Sequence, residues 1–277
     1  MRRTSTGRWS PPHPRALLSQ PAASGGGGEP AGLDACLACY VSRWEGDGAA
    51  PSSIAARAQN SGIEAGDPLE YLTDWSGQGH HLRQTTLAQQ PEYNSAGAPD
   101  SVAAAYFDGS AWLDSQADAT WASELLVLAV VYQSFAPATL ATLLSHGNPV
   151  FSTGGVLVGF RRGSSSYLLY NEEGDGSPNI TAVGDFPSSP TDYERGYWKA
   201  TLSAATLEVE ADGVDVVTTT TGTTISGGDR TRPIRLGAIP ASGTNALRGY
   251  LRGLAVLPID ATAQQISDVW ALLEGTT

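Results

Sequence analysis

Cysteine, lysine and methionine are nearly absent: the 277 residues include two Cys, one Met and a single Lys, Lys199. Two cysteines cannot form a disulfide framework. Cys36-Leu37-Ala38-Cys39 has neither a second pair nor spaced histidines to complete a four-ligand zinc site. A redox CxxC wants a βαβ setting that the sequence does not offer, which leaves two small buried thiols as the reading. His80 and His81 are adjacent, so on a strand they point to opposite faces and do not chelate one ion together. No apolar run reaches 18 residues, and the longest stretch, Leu125 to Tyr132, is far too short for a membrane-spanning helix. The sequence holds no G-x-S-x-G elbow and no glycine-rich loop ending in Gly-Lys-Ser/Thr, which removes serine-hydrolase and P-loop chemistry.

What the chain does have is glycine (32), proline (17) and acid, with a net charge of −12. The charge is unevenly spread. Residues 1–28 carry Arg2, Arg3, Arg8 and Arg15 and no acid, whereas the rest holds the other 12 basic residues and all 28 acidic ones. A body of that sign repels phosphate backbones, so nucleic-acid binding by the body is excluded. Residues 1–32 read as an extended basic arm: Pro11, Pro12, Pro14 and Pro21 stiffen it, and Gly25 to Gly28 form a hinge. The arm lacks the apolar core of a secretory signal. Residues 33–277 read as one folded domain.

That domain is patterned for strands. Glu124 to Tyr132 is nearly all apolar and rich in branched side chains, as suits a strand buried on both faces. Further strands are expected at residues 101–107, 155–160, 166–170, 198–202, 206–211, 214–219, 235–239 and 249–257. Turns are expected at Asp108-Gly109 and Asp212-Gly213. Ser145-His146-Gly147-Asn148 reads as a loop after a strand. One helix is expected: Asp260 or Thr262 caps its start, Gln265 completes a capping box with Thr262, and Gly275 stops it. The fold class is therefore all-β, an antiparallel sandwich or jelly roll with one short C-terminal helix.

The densest local pattern is Leu72-Thr-Asp-Trp-Ser-Gly-Gln-Gly-His-His-Leu82. It resembles the W-x-D-x-S-G-N-G-x-x-L opening of the concanavalin A-like lectin/glucanase superfamily, in the laminin-G-like branch found in phage virion proteins. Here Asp74 precedes Trp75, a small departure in order. Leu33 to Ser42 resembles the first strand of that family, and Ala105 to Leu113 its F-D-G strand pair. Trp198 to Gly213 and Gly249 to Asp260 resemble later strands, so the likeness runs from Leu33 to Leu273. Glycines at 77 and 79 suit a turn with left-handed backbone, and Trp75 reads as a plug beneath that turn.

The resemblance implies a non-enzymatic virion protein: a phage head or tail decoration, fibre or spike component on the particle surface. In this reading the lectin-like domain binds host surface glycans and Arg2, Arg3, Arg8 and Arg15 anchor the arm to other virion proteins. Trp112, Tyr167, Tyr170 and Tyr197, within or beside strands, are the ligand-contact candidates, since such rings offer a flat apolar face with a polar handle. Trp121 lies in the same kind of position. No cofactor or metal ligand set is expected. The superfamily's calcium habit leaves Asp100 and the Asn171 to Asp175 loop as oxygen-rich segments, and homo-oligomerisation stays open. Two alternatives are carried. One is a glycoside hydrolase using Glu208 and Glu210, which strand alternation places on one side with Asp212. The other is a carbohydrate-binding module of a bacterial extracellular protein.

Overall fold

The computed structural model describes residues 30–42, 63–94, 103–115, 117–122, 124–133, 140–147, 155–162, 167–174, 180–185, 195–202, 206–211, 214–220, 230–238 and 246–275. A 3-10 turn at Leu33–Ala35 leads into β1 (Ala38–Val41), β2 (Tyr71–Leu72), β3 (Leu82–Arg83) and β4 (Glu92–Asn94). Next come β5 (Ala104–Asp108), β6 (Leu113–Ser115), β7 (Ala119–Trp121), β8 (Leu125–Gln133) and β9 (Leu140–Gly147). β10 (Gly155–Arg162), β11 (Tyr167–Gly174), β12 (Ile180–Asp185), β13 (Arg195–Leu202), β14 (Thr206–Ala211) and β15 (Val214–Thr220) fill the middle of the chain. β16 (Arg230–Arg232), β17 (Ile234–Leu236), β18 (Arg248–Pro258) and the helix α1 (Ala263–Glu274) complete it.

These strands form two antiparallel sheets in a jelly-roll sandwich. The first has the order β15-β14-β13-β8-β18-β5-β4, and the second β12-β11-β10-β9-β17-β6-β3-β2. β7 and β16 pair separately. β18 is the long organiser of the first sheet. It pairs with β8 along one flank, with a register shift between Leu251 and Gly253, and along the other with β5 and then β1.

The burial of β8 explains its composition. Leu125, Val127, Ala129 and Val131 pack between the sheets with Leu82, Phe107, Leu113, Ile234 and Leu236. Leu126, Leu128 and Val130 face the other way, onto Val269, Leu272 and Leu273 of α1 and the ring of Trp75. A strand covered on both sides has no polar face to alternate with. The helix is built as its sequence signals: Thr262 and Gln265 form a reciprocal capping box, and Gly275 ends it in left-handed backbone, φ 77°. Arg252, at the register shift of β18, donates from Nε to the Leu273 carbonyl at 3.1 Å, placing a cation at the helix's negative end.

The helix thus covers the outer side of the first sheet. Among the described residues no helix lies on the outer side of the second. At one margin the two sheets are stitched together. Leu69 N–H donates to Pro91 O (2.7 Å) and Tyr93 N–H to Asp67 O (2.8 Å), so residues 66–69 cover the free edge of β4 before the chain crosses into β2.

Candidate functional site

The turn after β2 is organised by one carboxylate. Asp74 is fully buried. Its Oδ1 accepts from Cys39 N–H (3.0 Å), Ser76 N–H (3.0 Å) and Ser76 Oγ (2.7 Å), and its Oδ2 from His80 N–H (2.9 Å). Its own N–H donates to His81 Nδ1 at 3.1 Å. Gly77 and Gly79 take φ of 79° and 81°, the left-handed region that the turn requires. Trp75 is 1% exposed and packs in the layer beneath α1. Every strong acceptor position of Asp74 is committed to backbone or to its own turn, so this motif is scaffold. Cys36 and Cys39 lie in the same layer as free, buried thiols. A hydrogen bond with Cys36, then burial, then the nearby charge of Asp74 push the Cys39 thiol well up from its ordinary value, which suppresses the reactive thiolate.

The outer side of the second sheet carries a different arrangement. Across the ladder Tyr71 pairs with Arg83, Arg83 with Asp114, and Asp114 with Arg235. Their strand neighbours Leu72, Leu82, Leu113 and Leu236 belong to the core, so alternation sends this row outward. Arg83 binds Glu70, with Nε–Oε1 2.9 Å and NH2–Oε1 2.7 Å, and lies 4.8 Å from the centre of the Tyr71 ring. Arg235 grips Asp114 with Nε and NH2 in a two-pronged pair, and its guanidinium lies 3.9 Å from the centre of the Trp112 ring. The motif repeats: aromatic ring, guanidinium against it, carboxylate beside it.

Burial distinguishes the members of this row. Arg235 is 8% exposed, whereas Trp112, Tyr71, Arg83, Glu70 and Asp114 are half-buried. The indole thus covers the guanidinium while remaining partly exposed itself. The Trp112 main chain is held by the turn at Leu87–Gln89: its N–H donates to Gln89 O at 3.0 Å. Gln90 Nε2 ties that turn to Gln84 O at 2.7 Å. Leu87 on the same turn is 68% exposed, the only large hydrophobic side chain so exposed among the described residues.

Of the residues singled out in the sequence, Trp112 stands in this row. Tyr167 and Tyr170 lie on β11 of the second sheet and Tyr197 on β13 of the first, and their side chains lie outside the described residues. Arg2, Arg3, Arg8, Arg15, Asp100 and Asp175 also lie outside the described residues. Trp121 is core, 1% exposed, with its ring 4.3 Å from that of His146. The loop expected at Ser145-His146 is a correction: both residues belong to β9 and are buried. His146 Nε2 bonds the Ala119 carbonyl (3.0 Å) and Ser145 Oγ donates to the Ala238 carbonyl (3.2 Å), so distant backbone satisfies them. Glu208 and Glu210 fall on β14, one strand in from the β15 edge, opposite Thr201 and Lys199 of β13. Among the described residues no three Cys, His, Asp or Glu side chains gather as a metal site. The sequence reading missed Tyr71, Arg83, Glu70, Asp114 and Arg235.

No protein-family model matches the sequence, and no curated protein matches it. Solved structures do. Domain 4 of AbnA, an extracellular GH43 arabinanase from Geobacillus stearothermophilus solved in complex with arabinotriose, superposes with a TM-score of 0.52. That match covers 74% of this chain and 99% of that one at 13% identity, and it establishes a shared fold. The CBM40 of the Ruminococcus gnavus IT-sialidase matches 53% of this chain and 82% of its own, at 12% identity and a TM-score of 0.41. Mouse laminin alpha1 domains LG4-5 match 56% of this chain and 39% of their own, at 19% identity and a TM-score of 0.38. The architecture shared with the arabinanase domain is an antiparallel jelly-roll sandwich.

Proposed function

We propose that this chain is a non-enzymatic glycan-recognition protein whose contact surface is the outer side of the second sheet, around Trp112 and Tyr71. The observation that carries the reading is the doubled unit of ring, guanidinium and carboxylate on the sheet side that no helix of the described residues covers. Rings held flat offer an apolar surface for sugar C–H groups, and the carboxylates beside them offer acceptors for sugar hydroxyls. Both carboxylates are engaged by arginine, an arrangement suited to holding a ligand rather than to shuttling a proton. The fold shared with a domain solved on arabinotriose is compatible with this reading, while fold alone leaves function open.

The setting we favour is the surface of a phage particle, as a decoration, fibre or spike component docked through the basic N-terminal arm. The resemblance to virion laminin-G-like domains and the split between a cationic arm and an anionic body support it. A module of a bacterial extracellular protein is the second reading, favoured by the arabinanase domain of the same fold. A glycan array probed with the whole chain tests the core proposal. Binding is expected, with a loss of about tenfold or more in Trp112→Ala. Reducing-sugar release from a bound polysaccharide, abolished in Glu208→Gln, would replace the non-enzymatic reading with hydrolysis.

A further inference from the structure

The charge pattern of this face identifies its ligand more closely, an inference that rests on the glycan-binding reading above. We infer that the outer side of the second sheet takes an extended chain of uncharged sugars, bound across β2, β3 and β6. The cations come first. An acidic sugar, carrying carboxylate or sulfate, is normally held by a guanidinium with donors to spare. Arg83 and Arg235 are the arginines of this row, and each has its own carboxylate, Glu70 and Asp114. Each also sits over an aromatic ring. An acidic sugar arriving here would have to break an existing pair and then sit beside the displaced carboxylate. Arg235 is the less available of the two, because Trp112 lies over it.

The same groups suit neutral hydroxyl-rich ligands. Glu70 remains partly accessible, with a side-chain exposure of 40%, and its contacts to Arg83 both go to Oε1, so its carboxylate can also accept from hydroxyls. The ion pairs fix the rings before any ligand arrives, which lowers the ordering cost of binding.

Spacing sets the length. Tyr71 stands on β2, and Trp112 immediately precedes β6, two strands away. Register places Tyr71 opposite Arg83 and Arg83 opposite Asp114, with Trp112 two residues before Asp114. Two strand spacings and one two-residue step separate the ring positions by about 12 Å. One sugar ring cannot lie on both, whereas an oligosaccharide running diagonally across the strands can.

The experiment is native affinity electrophoresis of the full chain in gels containing neutral polysaccharides (arabinan, xylan, mixed-linkage β-glucan) or acidic ones (polygalacturonate, hyaluronan). Retardation is expected from at least one neutral polymer and from neither acidic one. Oligosaccharides of the retarding polymer should compete at least tenfold better as tetramers than as monomers. Trp112→Ala and Tyr71→Ala should each weaken retardation, with unchanged thermal melting showing that the fold survives. Glu70→Gln frees Arg83 and is expected to gain retardation by polygalacturonate, a gain that unfolding cannot mimic. Retardation of the unmodified chain by an acidic polymer, lost in Trp112→Ala, would overturn the uncharged-ligand inference and leave glycan binding intact. No gain in Glu70→Gln would overturn the charge argument. Monomers competing as well as tetramers would overturn the extended-chain argument. Retardation by none of the polymers would overturn both this inference and the glycan-binding reading.

Discussion

Asp74 shows how much one side chain can hold. Cys39 on β1, Ser76 in the turn and His80 beyond it all donate to a carboxylate that water does not reach. Asp74→Ala leaves those N–H groups without an acceptor, and each buried unsatisfied donor costs about 1–3 kcal/mol. A total loss of about 3–5 kcal/mol is expected in urea unfolding with an unchanged m-value. A loss below about 1 kcal/mol would remove Asp74 from this organising role. Asp108 offers a pH-dependent counterpart at the surface. Partial burial opposes its ionisation, but donors from Ser110 N–H (2.7 Å), Ser110 Oγ (2.8 Å) and Ala111 N–H (3.0 Å) outweigh it and lower its pKa from 3.8. A carboxyl with a lowered folded pKa adds stability above its unfolded value, and that stability is lost as pH falls through the folded one. Asp108→Asn is therefore expected to be less stable than the parent at pH 7, with the difference shrinking below about pH 4. Thermal melts from pH 2 to 7 measure it, and a constant difference across that range would contradict it.

Among the elements, α1 and β8 were legible in the sequence for physical reasons. The capping box at Thr262 and Gln265 and the glycine stop at 275 are local chemistry, readable without knowing the fold. The unbroken apolar run of β8 announced a strand covered twice, though not that α1 does the covering. Thr262→Ala removes the acceptor for Gln265 N–H and is expected to cost about 1 kcal/mol. Because α1 seals the outer layer, the same variant should speed amide exchange in α1 before the rest of the fold. Equal acceleration everywhere would show that the helix is not separately anchored. β9 was only partly legible, because Ser145 and His146 look like loop residues until distant carbonyls supply their partners. Strands of two or three residues such as β2, β3 and β4 give too little alternation to detect. The candidate site was hidden for the same reason. Trp112 stood out as an aromatic near a strand, but Asp114 and Arg235 are 121 positions apart and meet only because β17 lies beside β6.

For the whole molecule, polarity of charge and order of strands matter most. The chain bears −12 overall although its first 28 residues contain four arginines and no acid. If that segment is a docking arm, a variant lacking residues 1–28 should keep its melting temperature and its glycan binding yet fail to join the particle. Undiminished incorporation of the shortened chain would dismiss the arm. The jelly-roll topology also has a temporal side. β1 finds its hydrogen-bonding partner in β18, Ala38 against Val256, so this strand waits for a partner made far downstream of it. While the ribosome is still translating, β1 lacks β18 and the outward side of β8 lacks α1. The nascent protein must stay unfinished, and open to chaperones, until the helix emerges from the exit tunnel.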